Sequence, residues 1–490
     1  MSNGALKFRA NGQTTSTVVD PRFGLGNNPT MPAGWGSLGG GGTSAPVEGG
    51  PGTFVAPSGD TTGATDRAAI QAALDAAGQG SNPHTVYLDG NYYVNGVITL
   101  RTGVVLRGSG WYGTVINLAP GSNSDVIDIG GAYRWGLHDL AVDGHSESQT
   151  QSGNTTGCGV NVTSTGYNAD ADGWRGGMVF NMTGVYVHYT KSDGVRLQGG
   201  VNEGRMWNCY VIRAGRYGFN LRGGTDFFAG GLTSGESHDH GIYWNGDGRL
   251  LWSKSWWPGY CPPRGKNPSA PTNTNACGYY ITGDGPQIIQ CEAQDSAGYG
   301  FDIHSNGGYF TIKGDQSWGS HVRLMGSNAQ IYLDVTPVAH GTTTPALVHP
   351  WNGRGNNVLI SGWGGRVTTG TGAKAVVAAG APTDNDTIRT VQMGAAQKYT
   401  TYTPTLSPDY TLGGIKITLT GDIAIGNPVE NINGATAEIV LTQDATGGRT
   451  VSWGNAYAGL SPADTTAGKT SRWSLRCMGT KWVQTAFVSY

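Results

Sequence analysis

The fold is decided between Asp193 and Leu324 by six copies of one phrase: Gly194-Val-Arg-Leu197, Gly218-Phe-Asn-Leu221, Gly241-Ile-Tyr-Trp244, Gly278-Tyr-Tyr-Ile281, Gly300-Phe-Asp-Ile303 and His321-Val-Arg-Leu324. Each runs small residue, apolar, variable, apolar, with His in first place in the last copy. An earlier copy is Gly159-Val-Asn-Val162. The steps between copies are 35, 24, 23, 37, 22 and 21 residues, so a unit of 21 to 24 residues is interrupted twice. A repeat of this period indicates a solenoid.

Each phrase has the period-two alternation of a β-strand and opens after a turn-forming residue. One such strand cannot bury its apolar face alone, but strands stacked about 4.8 Å apart pair with one another and build a continuous core. Most units hold a second strand-like run, such as Met206 to Ile212 or Ile288 to Cys291. We therefore predict an all-β protein built on a parallel β-helix.

The composition suits stacked strands and turns. Glycine makes up 83 of 490 residues and charged residues make up 13%, against roughly 25% charged residues in a typical globular domain. The net charge of -2 and the lack of a basic arm argue against a nucleic-acid ligand. The sequence contains no run of 18 apolar residues, so no membrane-spanning segment is predicted. Gly39 to Gly42 and Asp170-Ala-Asp-Gly173 lack the context of a phosphate loop and a calcium loop, so neither cofactor nor metal is predicted.

The amino terminus, Met1 to Arg9, has no apolar stretch of signal-peptide length. We expect a protein that is made in a cytoplasm and not exported by that signal. The six cysteines are too sparse for a disulfide scaffold. Cys261 and Cys277 bracket an insertion and would be the pair to join, but a reducing cytoplasm favours free thiols.

Changes in composition and residue pattern along the sequence divide the chain into four segments. Residues 1–52 hold short apolar patches and a Gly-rich linker, and are either a disordered tail or an arm that orders on a partner. Residues 53–365 form the predicted β-helix, and residues 366–398 are a linker or the last coils. Residues 399–490 alternate strands and turns, which predicts a small β-sandwich.

One amphipathic helix precedes the strands, from about Asp66 to Ala77. Thr65 or Asp66 is the expected cap at its amino end, and Gly78 is the expected stop. A lone helix at this place would cover the open apolar end of the strand stack.

The opening of the β-helix carries a family resemblance. Its parts are Asp66 to Leu74, Thr85 to Val94, Ile98 to Leu100 and Val104 to Gly110 with Thr114 to Ile116. In this order they resemble the first coils of pectate-lyase-like β-helix proteins, which include secreted polysaccharide enzymes and bacteriophage tailspikes. The resemblance implies a right-handed parallel β-helix with an amino-terminal capping helix. The carboxy-terminal segment is similar to terminal domains of phage tail fibres and tailspikes, which bind receptors or hold a trimer.

Two insertions interrupt the repeat, three coils apart, and are expected to flank a groove. Their aromatic residues are Trp174 in the first, and Trp252, Trp256, Trp257 and Tyr260 in the second. Such rings either stack against sugar rings or pack the insertion onto the coils or a neighbouring subunit. We predict these five residues as glycan-binding residues, with the packing role left open.

Four carboxylates are candidates for catalysis, because a glycosidase needs two carboxyl groups about 5 to 9.5 Å apart. Glu203 and Asp226 have similar offsets on successive coils, and Glu236 and Asp239 lie just before the second insertion. The alternative for each is a solvated turn residue. Polygalacturonases of the same superfamily carry an Asp pair where Arg216-Tyr217 stands here, so hydrolysis by their mechanism is not expected.

Together these observations predict a homotrimeric phage tail spike or fibre protein of the virion tail. It would bind a host surface polysaccharide during adsorption, and its amino-terminal arm would join other tail or baseplate proteins. Depolymerisation of the glycan is a second hypothesis. A free polysaccharide lyase or glycoside hydrolase is a third.

Overall fold

The computed structural model describes residues 52–78, 84–151, 156–163, 179–199, 203–224, 226–267, 269–336, 347–349, 356–361, 376–378, 387–390, 401–408, 410, 414–428, 431 and 436–490. The predicted arm up to residue 51 and the candidate Trp174 lie outside this part of the chain.

The described chain contains one α-helix, α1 (Ala64–Gly78), one 3-10 turn (Ser146–Ser148) and many short strands. The strands up to the last coil are β1 (Gly52–Val55), β2 (Thr85–Leu88), β3 (Gly90–Val94), β4 (Ile98–Thr99), β5 (Val105–Arg107), β6 (Thr114–Leu118), β7 (Ile127–Asp128), β8 (Gly136–Asp143), β9 (Val160–Thr163), β10 (Asn181–His188), β11 (Val195–Gln198), β12 (Arg205–Trp207), β13 (Tyr210–Ile212), β14 (Phe219–Gly224), β15 (Phe228–Gly230), β16 (Thr233–Gly235), β17 (Ile242–Gly246), β18 (Arg249–Leu251), β19 (Lys254–Trp256), β20 (Tyr279–Ile281), β21 (Gln287–Gln294), β22 (Phe301–Ile303), β23 (Tyr309–Asp315), β24 (Val322–Leu324), β25 (Gln330–Thr336), β26 (Leu347–His349), β27 (Asn357–Ser361), β28 (Val376–Ala378) and β29 (Thr387–Thr390). The strands of the carboxy-terminal segment are β30 (Thr405–Leu406), β31 (Ile415–Leu419), β32 (Ile423–Ile425), β33 (Thr436–Gln443), β34 (Val451–Trp453), β35 (Tyr457–Ala458), β36 (Thr470–Met478) and β37 (Lys481–Ser489).

The repeated phrases form a parallel sheet of 11 strands, here called the repeat sheet, made of β4, β7, β9, β11, β14, β17, β20, β22, β24, β26 and β28. Successive copies pair in register, for example Val195 with Phe219 and Phe219 with Ile242. The two apolar positions, second and fourth in the phrase, point inward, and residues such as Val195 and Leu197 are fully buried. The predicted parallel β-helix is therefore confirmed.

Every coil has two further faces, which belong to an 18-stranded parallel sheet. The second face contains β12, β15 and β18, and the third face contains β13, β16 and β19. Longer strands bend across both faces: β10 pairs with β12 through its first half and with β13 through its second half. Pairing continues to β29, within the segment 366–398 for which a linker or last coils were expected.

The helix α1 packs its buried Ile70, Leu74 and Ala77 against the first strands. The helix ends at Gly78 as predicted, but Thr65 or Asp66 as its amino-terminal cap was wrong. The helix begins at Ala64, and Asp60 Oδ2 accepts the N–H of Thr65 at 3.0 Å. Asp66 is instead buried and accepts the N–H groups of Ser58 and Tyr93 at 2.7 and 2.9 Å, which ties the helix to β3. No helix in the described residues is both long and apolar enough to cross a membrane.

Left-handed residues turn the chain at all three corners of the coil. The corner between the repeat sheet and the second face uses Arg134, Val179, Glu203, Asp226 and Asn328, with φ from 52° to 57°. The corner between the second and third faces uses Asp139, Asn208, Trp252 and Gln290, and the corner back to the repeat sheet uses Tyr189, Arg213, Glu236, Trp257, Asp295 and Gln316. Positive φ is uncommon for such residues, so each corner is held by the coils above and below it.

The carboxy-terminal strands form two sheets, β31-β33-β36-β37-β35 and β30-β32-β34. Ile417, Ile423, Trp473 and Trp482 from these sheets share one buried core. The predicted β-sandwich is therefore confirmed. Cys261 and Cys277 are free thiols.

Candidate functional site

The variable third residue of the repeated phrase faces outward. One such residue per coil forms a row along the repeat sheet: Asn161, Arg196, Asn220, Tyr243, Tyr280, Asp302 and Arg323. Flanking positions on the same coils add Asp193, Arg216, Tyr217, Arg222, His240, Tyr299 and His304. We call these two sets together the repeat-sheet face. None of these residues was predicted as a site residue.

Asp302 is the centre of a charged cluster on this face. Its buried carboxylate accepts the Arg323 Nε–H at 2.7 Å, and His304 Nε2 lies 3.0 Å from Oδ1. Burial alone would raise the pKa of Asp302, but the hydrogen bonds from His304 and Arg323 outweigh burial and hold the pKa below its usual range. The Arg323 guanidinium also lies 4.5 Å from the centre of the Tyr299 ring.

Asp193 is the centre of a second cluster. Arg196 Nε and Asn220 Nδ2 each donate to its Oδ2 at 2.8 Å, and Arg216 Nε donates to Oδ1 at 2.6 Å. Burial opposes ionisation of Asp193, but its partners prevail and lower the pKa. Arg216 stands where polygalacturonases carry acids, and it forms an ion pair with Asp193.

An aromatic row joins the two clusters. His240 stacks between Tyr217 and Tyr280, with ring centres 5.5 and 4.7 Å away, and Tyr280 lies 5.1 Å from His304. Tyr243 meets the Tyr280 ring edge-on at 5.0 Å. Flat rings along a row offer stacking surfaces for sugar rings.

The two histidines beside Tyr280 differ in what their ring nitrogens contact. His240 Nδ1 accepts the backbone N–H of Cys277 at 3.0 Å, and burial lowers the pKa of His240 to about 4. Its ring is therefore neutral near pH 7, with the proton on Nε2. His304 Nε2 lies at an ion-pair distance of 3.0 Å from Asp302 Oδ1, but it makes no hydrogen bond of good geometry among the described residues.

Arg222 differs from the other arginines of this face. Its guanidinium stacks 4.1 Å from the centre of the Tyr243 ring, and its Nε has no hydrogen-bond partner among the described residues. Arg196 and Arg216 pair with Asp193, and Arg323 pairs with Asp302. A guanidinium without a carboxylate partner among the described residues, such as Arg222, suits an anionic ligand.

The second insertion leaves the coil beside the repeat sheet, whereas the first falls on residues 164–178, outside the described part of the chain. The first follows β9 and the second, residues 257–278, precedes β20. In the second insertion Arg264 donates to Asp143 and Glu147 at 2.6 and 2.8 Å and lies 3.7 Å from the centre of the Tyr189 ring. Asn273 Nδ2 donates to Asp239 Oδ1 at 2.7 Å. These contacts build a wall along one edge of the repeat-sheet face.

The predicted carboxylates fall at two different corners. Glu203 and Asp226 lie two residues before paired strands, at equivalent positions on successive coils, and both are exposed. Glu236 is buried, and Arg213 Nε donates to its Oε2 at 2.5 Å. Burial alone would raise the pKa of Asp239, but hydrogen bonds from His238 and Asn273 lower it. A catalytic role for these four residues stays a prediction.

The predicted aromatic residues split into two groups. Trp256, Trp257 and Tyr260 form a half-buried cluster, with ring centres 5.8 and 6.1 Å apart. Trp252 is 60% exposed at another corner, where its Nε1–H donates to Gln290 Oε1 at 2.6 Å. Their glycan-binding role also stays a prediction. No group of three or more His, Cys, Asp or Glu suited to a metal ion occurs among the described residues.

Two family models match this chain. Residues 58–255 match the rhamnogalacturonase A/epimerase, pectate lyase-like family, and residues 402–482 match a putative phage tail fibre C-terminal domain. A pectate-lyase-like β-helix is thus joined to a tail fibre type of terminal domain. This pairing confirms the resemblance to tailspike and tail fibre proteins that the sequence predicted.

Individual proteins add to this comparison. Mannuronan C5-epimerase AlgE4 of Azotobacter vinelandii is 38% identical over 97 residues, which cover 17% of each chain. The A-module of its relative AlgE6 superposes with a TM-score of 0.50 at 16% identity, covering 76% of this chain and 94% of that one, and shows the shared fold. Tailspike protein 2 of an Escherichia coli O157:H7 bacteriophage is 15% identical with a TM-score of 0.45, covering 67% of this chain and 40% of that one.

Proposed function

We propose that this protein is a phage tail spike or fibre protein whose repeat-sheet face binds an acidic polysaccharide of the host surface and removes the C5 proton of a uronic acid residue. The terminal domain of the tail fibre type supports the first half of the proposal. The observation that carries the second half is the cluster of Asp302, His304 and Arg323 beside an aromatic row and the uncommitted Arg222.

Arg222 would hold the substrate carboxylate. A guanidinium fits a carboxylate through two parallel hydrogen bonds, and Arg222 has no ion-pair partner among the described residues. Removal of the C5 proton moves negative charge onto this carboxylate, so a fixed cation there lowers the barrier. The mannuronan C5-epimerase relative acts, by its name, on a polymer of this chemical kind.

His304 would serve as the base. Asp302 Oδ1, 3.0 Å from Nε2, would hold a proton on that nitrogen and leave Nδ1 to take the C5 proton. His240 would serve as a donor through its Nε2–H on the other side of Tyr280. Return of a proton to the opposite side of C5 inverts that carbon. Departure of the C4 oxygen, with a proton from the donor, instead cleaves the chain.

The test is to incubate the protein with uronate-containing polysaccharides in D2O. Deuterium at C5, seen by NMR, reports the first step, and new ultraviolet absorbance reports unsaturated ends. His304→Gln should slow C5 exchange about 100-fold or more, whereas His84→Gln, just before β2, should not. Binding without C5 exchange or unsaturated products would leave an adhesin and overturn the catalytic proposal.

Glycoside hydrolysis is the competing chemistry, through Glu203 with Asp226 or Glu236 with Asp239. A glycosidase acid needs a carboxyl group sheltered from water, whereas Glu203 and Asp226 are exposed and Glu236 is tied to Arg213. New reducing ends without unsaturation would favour these pairs over the repeat-sheet face.

The proposed tail spike or fibre protein is a homotrimer in the virion tail, attached to other tail proteins by residues 1–52. Light scattering of the full chain tests the trimer.

A further inference from the structure

A groove of about 610 Å³ lies at the corner that follows the repeat sheet. It is lined by Val105, Arg134, Trp135, Gly136, His138, Val179, Phe180, Asn181, Glu203, Gly204, Arg205, Asp226 and Phe228. Small-molecule sites commonly occupy 300 to 1,000 Å³, so the groove has room for a sugar residue. Asp226 follows Arg222 by four residues, which places the groove beside the repeat-sheet face.

The groove is built around packed aromatic rings. Trp135 stacks on Phe180 with ring centres 4.6 Å apart, and Phe180 stacks on Phe227 at 5.8 Å. Gly204 makes room for this packing, because a Cβ there would lie 1.9 Å from the Phe180 ring. The rings fix the shape of the groove before any ligand binds.

One buried donor in the wall is unused. Trp135 is 2% exposed, and its Nε1–H has no hydrogen-bond partner among the described residues. A buried tryptophan N–H usually finds a partner, and leaving it without one costs about 1 to 3 kcal/mol. Because this nitrogen is sealed from solvent, the donor belongs to the packing that shapes the groove and does not reach a bound ligand.

The charges around the groove balance. The positive charges of Arg134 and Arg205 offset the negative charges of Glu203 and Asp226. Burial lowers the pKa of His138, which favours its neutral form. The repeat-sheet face, in contrast, holds Arg222, which has no carboxylate partner among the described residues. Exposed carboxylates accept hydrogen bonds from vicinal hydroxyl groups, and Phe228 offers an apolar surface for the C–H side of a sugar ring.

We infer that this groove recognises an uncharged sugar residue that neighbours the uronic acid on the same glycan, and that Glu203 and Asp226 bind its hydroxyl groups without catalysing a reaction. The inference rests on the proposed function, since it takes the acidic neighbour to lie on the repeat-sheet face. It assigns the polysaccharide to the class that combines uronic acid with neutral sugars.

The experiment compares two ligands by titration calorimetry: a uronic acid homopolymer fragment and a fragment that alternates uronic acid with a neutral hexose. The Glu203→Gln, Asp226→Asn double variant should bind the alternating fragment at least ten-fold more weakly and the homopolymer as the unchanged protein does. Arg222→Gln should weaken both. Asn328→Gln, at the same left-handed corner position several coils away, is the matched control and should change neither.

Each other outcome decides against the groove, against the proposed function or against both. Unchanged binding of the alternating fragment by the double variant overturns the groove and leaves the proposed function intact. Loss of C5 exchange on the homopolymer with unchanged affinity makes the carboxylates catalytic and also overturns the inference. Unchanged binding by Arg222→Gln overturns the proposed function, and failure of the unchanged protein to bind either fragment overturns both. Equal melting temperatures of all variants establish that the fold is retained.

Discussion

His321 should make the β-helix sensitive to acid. It takes the place that glycine holds in the other copies of the repeated phrase, and its side chain points into the coil. Gly314 makes room for the ring, because a Cβ there would lie 2.8 Å from His321 Nδ1. His321 is 2% exposed, and Nδ1 has no hydrogen-bond partner among the described residues.

Burial lowers the pKa of His321 to about 4, from the ordinary value of 6.5. The unfolded chain therefore binds a proton below pH 6.5 that the folded chain takes up only near pH 4. Stability is unaffected by this group above pH 6.5, falls as the pH drops from 6.5 to 4, and is constant below that. At 1.36 kcal/mol for each unit of pKa, the total loss is about 3 kcal/mol.

Urea denaturation, followed by circular dichroism from pH 7.5 to pH 4, measures this loss. The control is His321→Gly, which restores the residue of the other copies and removes the titrating ring. Above pH 6.5 the free energies of unfolding of the variant and the unchanged protein should differ by a constant amount. Between pH 6.5 and pH 4 the unchanged protein should lose about 3 kcal/mol relative to the variant. A difference that stays flat with pH would refute a buried, unpaired imidazole.

Three further changes test other parts of the structure. Gly235→Ala should destabilise the coil by about 1 to 3 kcal/mol in the same urea assay, because the new Cβ would lie 2.4 Å from Trp256 Cζ2; equal stability would show that the indole moves aside at no cost. Arg264→Gln should speed hydrogen exchange in residues 257–267 without changing exchange in β10, since the link to Asp143 is lost; unchanged exchange would show that other contacts hold the insertion. Replacing Trp256 and Trp257 together with Ala should weaken glycan binding at least ten-fold if their rings stack on sugars, and unchanged affinity would leave them only a packing role.

The fold was readable from the sequence because its signal is local. Apolar residues at the second and fourth places of each phrase, such as Val195 and Leu197, must alternate to face the core, and both are buried. The helix α1 could be predicted for the same reason. Its cap could not, because the acceptor is Asp60, which returns to the helix through a left-handed turn at Gly63.

The candidate site was harder to predict, because its residues are alike only in position. Asp302, Tyr280 and Arg323 occupy the variable third place of the phrase. Because this place has no common residue type, the sequence does not reveal that its side chains all face outward. Glu203 and Asp226 were predicted as neighbours from their offsets, and strand pairing puts them at equivalent positions. The positions of the left-handed corners could not be predicted from the sequence, because Arg134, Val179 and Trp257 are not residue types that favour that conformation.

The residue-for-residue register between coils has a consequence for how such a protein changes in length. Strands and corners recur at the same places, so removing or duplicating one whole turn of the coil, such as residues 195–218, rejoins matching surfaces. Each added turn lengthens the stack by about 4.8 Å and brings one new outward residue to the repeat sheet. A lineage can therefore extend or shorten the reach of its binding surface in discrete steps, while the capping helix and the terminal domain stay as they are.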